Sequence, residues 1–193
     1  MHYRVVLFLV LVFFAWSTGA LSGENAPAAG ASRVLTVDGF KDFKFGMTLK
    51  DISSRKLCRK MGKESVNLTP PEDASYWCSG ISFNGGTARS GEVTFIKGKL
   101  ARVAITIGYS LTEFAATQTA LLEKYGEWNG DGHERTQAFI DGTLPRIERN
   151  FVGGAIRLSG TRPVASTFVI VRVDYFDLPT YRASGPKISA KDL

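Results

Sequence analysis

Residues 92–126, EVTFIKGKLARVAITIGYSLTEFAATQTALLEKYG, change hydrophobic period partway along, and that change restricts the fold more than any other feature of the chain. Val93, Phe95, Val103, Ile105 and Ile107 recur at every second position, the spacing that puts side chains on one face of a pleated sheet. Lys97-Gly98 between the two runs supplies the flexible pair that a tight hairpin turn needs. Beyond Gly108 the period lengthens, and Phe114, Leu121, Leu122 and Tyr125 form the apolar stripe of a helix. Ser110 and Glu113 stand at capping-box spacing at its start, and Gly126 suits the left-handed residue that ends it. A hairpin feeding an amphipathic helix predicts an α+β fold, with helices on one face of a mainly antiparallel sheet.

The beginning of the chain speaks to compartment. Arg4 precedes an apolar run from Val5 to Trp16, and Thr18 and Ala20 occupy the −3 and −1 places of a cleavage site. That pattern predicts a secretory signal peptide over residues 1–20. The run is shorter than the roughly 20 apolar residues that cross a bilayer, so no transmembrane segment is expected in the mature chain. Residues 21–32, LSGENAPAAGAS, have too little apolar surface to bury and are expected to be a flexible leader. Removing residues 1–20 leaves 23 basic and 18 acidic residues, a moderate excess that suits a soluble surface. With no zinc spacing and no recognition helix, no nucleic-acid partner is expected. Cys58 and Cys78 both survive cleavage, and in an oxidising compartment they are expected to pair, worth ~3 kcal/mol for a loop of this length.

Residues 33–177 are expected to form one α+β domain and residues 178–193 a tail. A first short strand is expected over 33–37. Thr48 and Asp51 repeat the cap spacing at the head of a first helix that carries Leu49, Ile52 and Leu57 inward and stops near Met61-Gly62. Lys56, Arg59, Lys60 and Lys63 would then form a basic stripe on one side of it. Pro70-Pro71 marks a loop, Tyr76-Trp77-Cys78 a strand, and Asn84-Gly85-Gly86 a turn. Residues 128–134, WNGDGHE, read as a Gly-rich connection, and Asp141-Gly142 as the turn of a second hairpin over 138–144. In residues 167–175, TFVIVRVDY, Val169, Val171, Val173 and Tyr175 line one face; the other begins Phe168, Ile170, which predicts cover on both sides in the first half.

Gly46-Met47-Thr48-Leu49-Lys50-Asp51-Ile52 matches Gly108-Tyr109-Ser110-Leu111-Thr112-Glu113-Phe114, and Lys60-Met61-Gly62 echoes Lys124-Tyr125-Gly126. The self-similarity predicts two related α-β units in tandem, about 40–107 and 108–177, carrying one helix each. The Gly-apolar-Thr-Leu-x-Asp-apolar entry, with Phe45-Gly46-Met47-Thr48 as its best local match and a Cys-bearing strand pair after it, resembles the helix-plus-sheet unit of the outer-membrane assembly lipoproteins of the BamE/SmpA type. The β-lactamase-inhibitory proteins carry a similar unit in tandem. The resemblance implies a periplasmic α+β protein whose business is binding. The absence of a Cys at the cleavage point and the different cysteine spacing mean that no functional residue is carried over.

Chemistry is thinly signalled. His133, beside Asp131 and Glu134, is the single histidine after residue 20, and a catalytic zinc needs three protein ligands, usually with more than one His. No nucleophile elbow, phosphate loop or dinucleotide fingerprint occurs. No catalytic residue, metal or cofactor is therefore assigned. Candidate binding residues are Arg102, Arg146 and Arg172, expected on the outer sheet face with Glu148, Thr94 and Thr106, joined by the aromatics Tyr76, Trp77 and Trp128, since Trp, Tyr and Arg dominate interface hot spots. The reading is an exported, non-catalytic protein-interaction or inhibitor-like domain of the bacterial envelope, its partner another envelope protein. The alternatives are a small exported hydrolase with a site in 128–142 and a carrier for an anionic ligand.

Overall fold

The computed structural model describes residues 35–63, 73–83, 86–164 and 166–184. The signal peptide, the leader, the Pro70-Pro71 loop, the turn at Asn84-Gly85 and the end of the tail from residue 185 lie outside the described residues. The elements are β1 (Gly39–Phe40), β2 (Phe43–Lys44), α1 (Leu49–Ser54), β3 (Lys60–Lys63), β4 (Ala74–Ser79), β5 (Ser82–Phe83), β6 (Gly86–Thr87), β7 (Ser90–Ile96) and β8 (Lys99–Gly108). They continue with α2 (Leu111–Tyr125), β9 (Asn129–Gly130), α3 (His133–Ile140), β10 (Arg146–Phe151), β11 (Ile156–Thr161), β12 (Ile170–Phe176) and α4 (Leu178–Ser184).

Eight of the strands make one antiparallel sheet in the order β3-β4-β7-β8-β12-β11-β10-β9. Its left half runs in chain order and its right half in reverse, so β8 and β12 meet in the middle, Ile105 opposite Val173 and Val103 opposite Tyr175. The β7–β8 hairpin forms as the alternation predicts. Ile96 pairs with Lys99, and Lys97 and Gly98 both have positive φ (50° and 69°), the turn whose twist matches that of the strands. The outermost strands are short, and β3 carries a lysine at each end, which leaves little edge for a stray strand to extend.

The core lies on the helix side of the sheet, where Val93, Val103, Ile105, Ile147, Leu158, Val171 and Val173 are fully buried. Phe114 of α2 and Phe139 of α3 converge there on Gly160 of β11, their ring centres 6.1 Å apart. A Cβ at residue 160 would stand 2.9 Å from Phe139 and 3.1 Å from Phe114, so the bare glycine lets both helices reach the sheet. At the head of α2 the Glu113 amide donates to Ser110 Oγ (3.2 Å), while the Glu113 carboxylate accepts from the Tyr109 amide (2.7 Å), one residue further back than the usual box. The Thr48–Asp51 box is complete, with both reciprocal bonds made.

Several expectations fail for identifiable reasons. The first helix ends at Ser54: Lys56 takes φ 52°, and Lys60–Lys63 leave as strand β3 against β4. Leu57 and the supposed basic stripe of Lys56, Arg59, Lys60 and Lys63 are therefore not helical, and the Lys60-Met61-Gly62 echo of a helix exit is strand. Residues 138–140 are the end of α3, and Asp141-Gly142 is its C-terminal cap: the Thr143 amide donates to Ala138 O (2.9 Å) and that of Gly142 to Phe139 O (3.2 Å). Dipeptides with a left-handed glycine serve helix ends as well as hairpins. Leu122 is 37% exposed and leaves the stripe to Phe114, Thr117 and Leu121. Residues 35–37 form no strand, and Phe168, 47% exposed, precedes β12 rather than being covered within it. The expected tail begins as α4, capped by Asp177 and packed through Tyr181 on Phe176.

The sheet is thus a large antiparallel one in an α+β fold, with four helices among the described residues rather than the two expected. The helix side is covered by α2, α3 and the β1–β2 hairpin; α4 covers one end of the other side, over β7 and β8.

Candidate binding face

Alternation along β7, β8, β12 and β11 sends Glu92, Arg102, Asp174, Arg172 and Arg157 to the side of the sheet opposite the core. In register, Ala104 stands between Glu92 on one neighbouring strand and Asp174 on the other. Its methyl group leaves room above it, and the longer side chains around it fill that room: Ala104 is only 1% exposed. Arg102 reaches Asp174 Oδ1 through Nε (2.9 Å) and Nη2 (2.6 Å), and Glu92 Oε1 through Nη1 (3.1 Å). Arg172 bonds the same two acids, Asp174 through Nε at 3.2 Å and Glu92 through Nη2. Arg157 closes the group from β11, its Nε 3.7 Å from Asp174 Oδ2 and its guanidinium 4.9 Å from the centre of the Phe176 ring.

Two acids thus hold three guanidinium groups across four strands. Burial pushes the Glu92 carboxyl up, but the Arg102 charge and the Arg172 hydrogen bond outweigh it and hold the group below its ordinary value. Burial also disfavours the Arg172 charge, and Asp174 with Glu92 reverses the balance, raising it above the usual guanidinium value. The network is fixed, charged and half in water: Asp174 is 2% exposed at its side chain, Arg102 17%, Arg157 29% and Arg172 30%.

Trp77 flanks this network on β4, in register with Glu92, and is 42% exposed. Its indole lies across Gly62 of β3, where a Cβ would come within 2.3 Å of Nε1. On the far side Arg146 is 54% exposed and pairs with Glu148 Oε1 at 2.5 Å. Arg102, Arg146, Arg172 and Trp77 therefore share one face, as expected of them. Tyr76 and Trp128 do not. Tyr76 faces Val93 on the core side and packs edge-on against Phe95, 5.7 Å between ring centres. Trp128 packs against the core beneath the Arg149 guanidinium, 5.2 Å from its ring centre. Strand parity separates Tyr76 from Trp77, and adjacent aromatics on a strand never share a face.

Arg149 was not singled out by sequence reasoning, although Ile147, Arg149 and Phe151 stand at spacing two and all three are buried. It donates to the backbone carbonyls of Asp131 (2.6 Å) and Glu148 (3.0 Å) and to Thr136 Oγ1, joining α3 and β9 to the sheet. Burial lowers its affinity for the proton, opposed by the Asp131 charge.

His133 is exposed on the first turn of α3, and the Asp131 carboxylate is taken by Arg135 (2.5 Å) and the Glu148 amide (2.8 Å). Among the described residues no group of three or more His, Cys, Asp or Glu is placed to hold a metal ion, and no helix is long and apolar enough to cross a membrane. Cys58 and Cys78 form a disulfide, which joins the segment after α1, rather than the end of a long helix, to β4.

A model of a protein family described as uncharacterised matches residues 40–151. The match carries no link to the assembly lipoproteins or the inhibitory proteins that the helix entry resembles. No curated protein and no solved structure matches the chain.

Proposed function

The chain belongs to that uncharacterised family, and we propose that it is an exported, non-catalytic protein-interaction or inhibitor-like domain of the bacterial envelope, docking a partner protein on the outer sheet face. The observation that carries the reading is the side-chain network around Glu92 and Asp174. Arginines fixed by acids on a sheet lose little rotamer freedom when a partner arrives, so their remaining donors are presented at low entropic cost. The face also carries Trp77 and Arg146, both exposed and of the residue types that dominate interface energetics.

The signal-peptide pattern and the disulfide support the compartment, since disulfides persist where the surroundings oxidise. Two helix entries with hydroxyl caps, each followed by a run of antiparallel strands that ends at the β8–β12 seam, support a reading of two related units in tandem.

The test is affinity capture from the envelope fraction with mature, oxidised protein. Trp77→Ala and Arg146→Glu are the variants to use, because neither residue belongs to the network that holds the sheet together. A stoichiometric partner captured by the parent chain and lost by both variants is the expected result. A blank with the parent, or capture that both variants leave untouched, would remove this face from consideration.

A further inference from the structure

On the helix side, between the β1–β2 hairpin and α2, lies a cavity of about 340 Å³, inside the range of small-molecule sites. Its apolar wall is aromatic: Phe40 packs on Tyr175 with ring centres 4.8 Å apart and on Phe83 at 6.2 Å. Its rim is basic, with Lys41, Lys44 and Lys124 against the single acid Asp38. Asp38 is already paired with Lys44 at 2.9 Å. Among the described residues Lys41 Nζ donates to the Ser82 hydroxyl (3.0 Å) and lies 5.8 Å from the Phe40 ring centre, Lys124 Nζ sits 4.9 Å from the Tyr125 ring centre, and neither has a carboxylate partner.

Tyr175 adds a polar group to the aromatic wall. It is 4% exposed, it lines the cavity, and no described residue hydrogen-bonds its hydroxyl. A phenol in the wall of a cavity can donate a hydrogen bond to a ligand that enters it. Burial, with the neighbouring Tyr125 in the same direction, raises its pKa far above neutrality, so the group remains a donor at any physiological pH.

We propose that this cavity binds a small aromatic anion, its ring lying on Phe40, Phe83 and Tyr175 and its charged head held by Lys41, Lys124 and the Tyr175 hydroxyl. Ammonium groups over an aromatic floor match that class, because one end of the ligand is apolar and the other must replace its water. The site is on the opposite side of the sheet from the proposed docking face, and neither reading depends on the other.

The test is titration of the mature protein, followed by amide chemical shifts, with 1-naphthyl phosphate, its neutral analogue 1-naphthalenemethanol and inorganic phosphate. Saturable shifts at Lys41, Lys124 and Tyr175 with naphthyl phosphate, at least about tenfold tighter than with either of the others, are expected from a charge-assisted contact combined with ring burial. Lys124→Glu should weaken binding by about tenfold or more and Tyr175→Phe by severalfold, with Lys60→Glu on β3 unchanged. Lys124 is exposed on α2, so its variant tests binding without touching the core. The proposal is overturned by equal binding of the neutral analogue, by binding indifferent to Lys124→Glu, or by no saturable shift at millimolar ligand.

Discussion

Asp174 is the group whose loss should cost most on the outer face. It accepts three guanidinium hydrogen bonds, at 2.6, 2.9 and 3.2 Å, and its side chain is 2% exposed. Asp174→Asn keeps the shape, removes the charge and leaves Glu92 to pair Arg102 and Arg172 while Arg157 loses its acid. Stranding one side of a buried pair costs roughly 3–5 kcal/mol. The lower end applies, because Arg157 and Arg172 stay about 30% exposed and can turn toward water. With an m-value of ~2 kcal/mol/M, a loss of ~3 kcal/mol lowers the urea midpoint by ~1.5 M. The assay is urea unfolding of oxidised protein, followed by tryptophan fluorescence and far-UV circular dichroism together. Repeating it in an Arg102→Met background separates the pair from its parts: the cost of Asp174→Asn should fall to less than half there, since one stranded charge is gone. A midpoint shift under about 0.5 M, or two costs that simply add, would refute the view of Asp174 as the hub of a coupled network.

Two further outcomes are expected. Asp38, Asp51, Glu92 and Glu113 all have carboxyl pKa values below their ordinary ones, held there chiefly by Lys44 for Asp38, by Thr48 for Asp51, by Arg102 and Arg172 against burial for Glu92, and by Ser110 for Glu113. The unfolded chain then binds protons first, so the urea midpoint should stay level from neutral pH to about pH 5 and fall between about pH 4 and pH 2; a midpoint that rises on acidification would contradict the assignment. Gly62→Ala should push the Trp77 indole off β3, reddening its emission in a Trp128→Phe background and costing about 1 kcal/mol; an unchanged spectrum and midpoint would mean that the indole lies elsewhere.

Much of the sheet was legible because alternation is a strong signal where one face is buried. Val93 to Ile105 and Val171 to Tyr175 fall on the core side as their spacing requires, and Arg172 with Asp174 on the other. Local signals that serve two structures misled. A lysine, an apolar residue and glycine end α2 at Gly126, yet the similar run at 60–62 is an edge strand, because a disulfide and β4 draw that segment into the sheet. Asp141-Gly142 closes a helix of eight residues with a single buried side chain, Phe139, too little periodicity to outweigh a hairpin dipeptide. Arg149 was hidden by its charge, although its parity with Ile147 and Phe151 pointed inward. The cavity beside Tyr175 is assembled from the hairpin near residue 40, the last turns of α2 and the final strand, and no local pattern joins such distant segments.

The seam between β8 and β12 carries a consequence for how the chain acquires its shape. Within each half of the sheet, strands pair with near neighbours in sequence, which closes short loops and is fast. The seam instead joins residues such as Ile105 and Val173, far apart in the chain, and among the described residues β12 is the last strand to be made. Until it docks, β8 and β11 are two unpaired edges with Val103, Ile105 and Leu158 uncovered on that side, the situation in which strands pair with the wrong chain. A chain that ends before residue 170 would therefore be an aggregation-prone species rather than a smaller stable domain, and the closing strand acts as the guard against self-association for both halves.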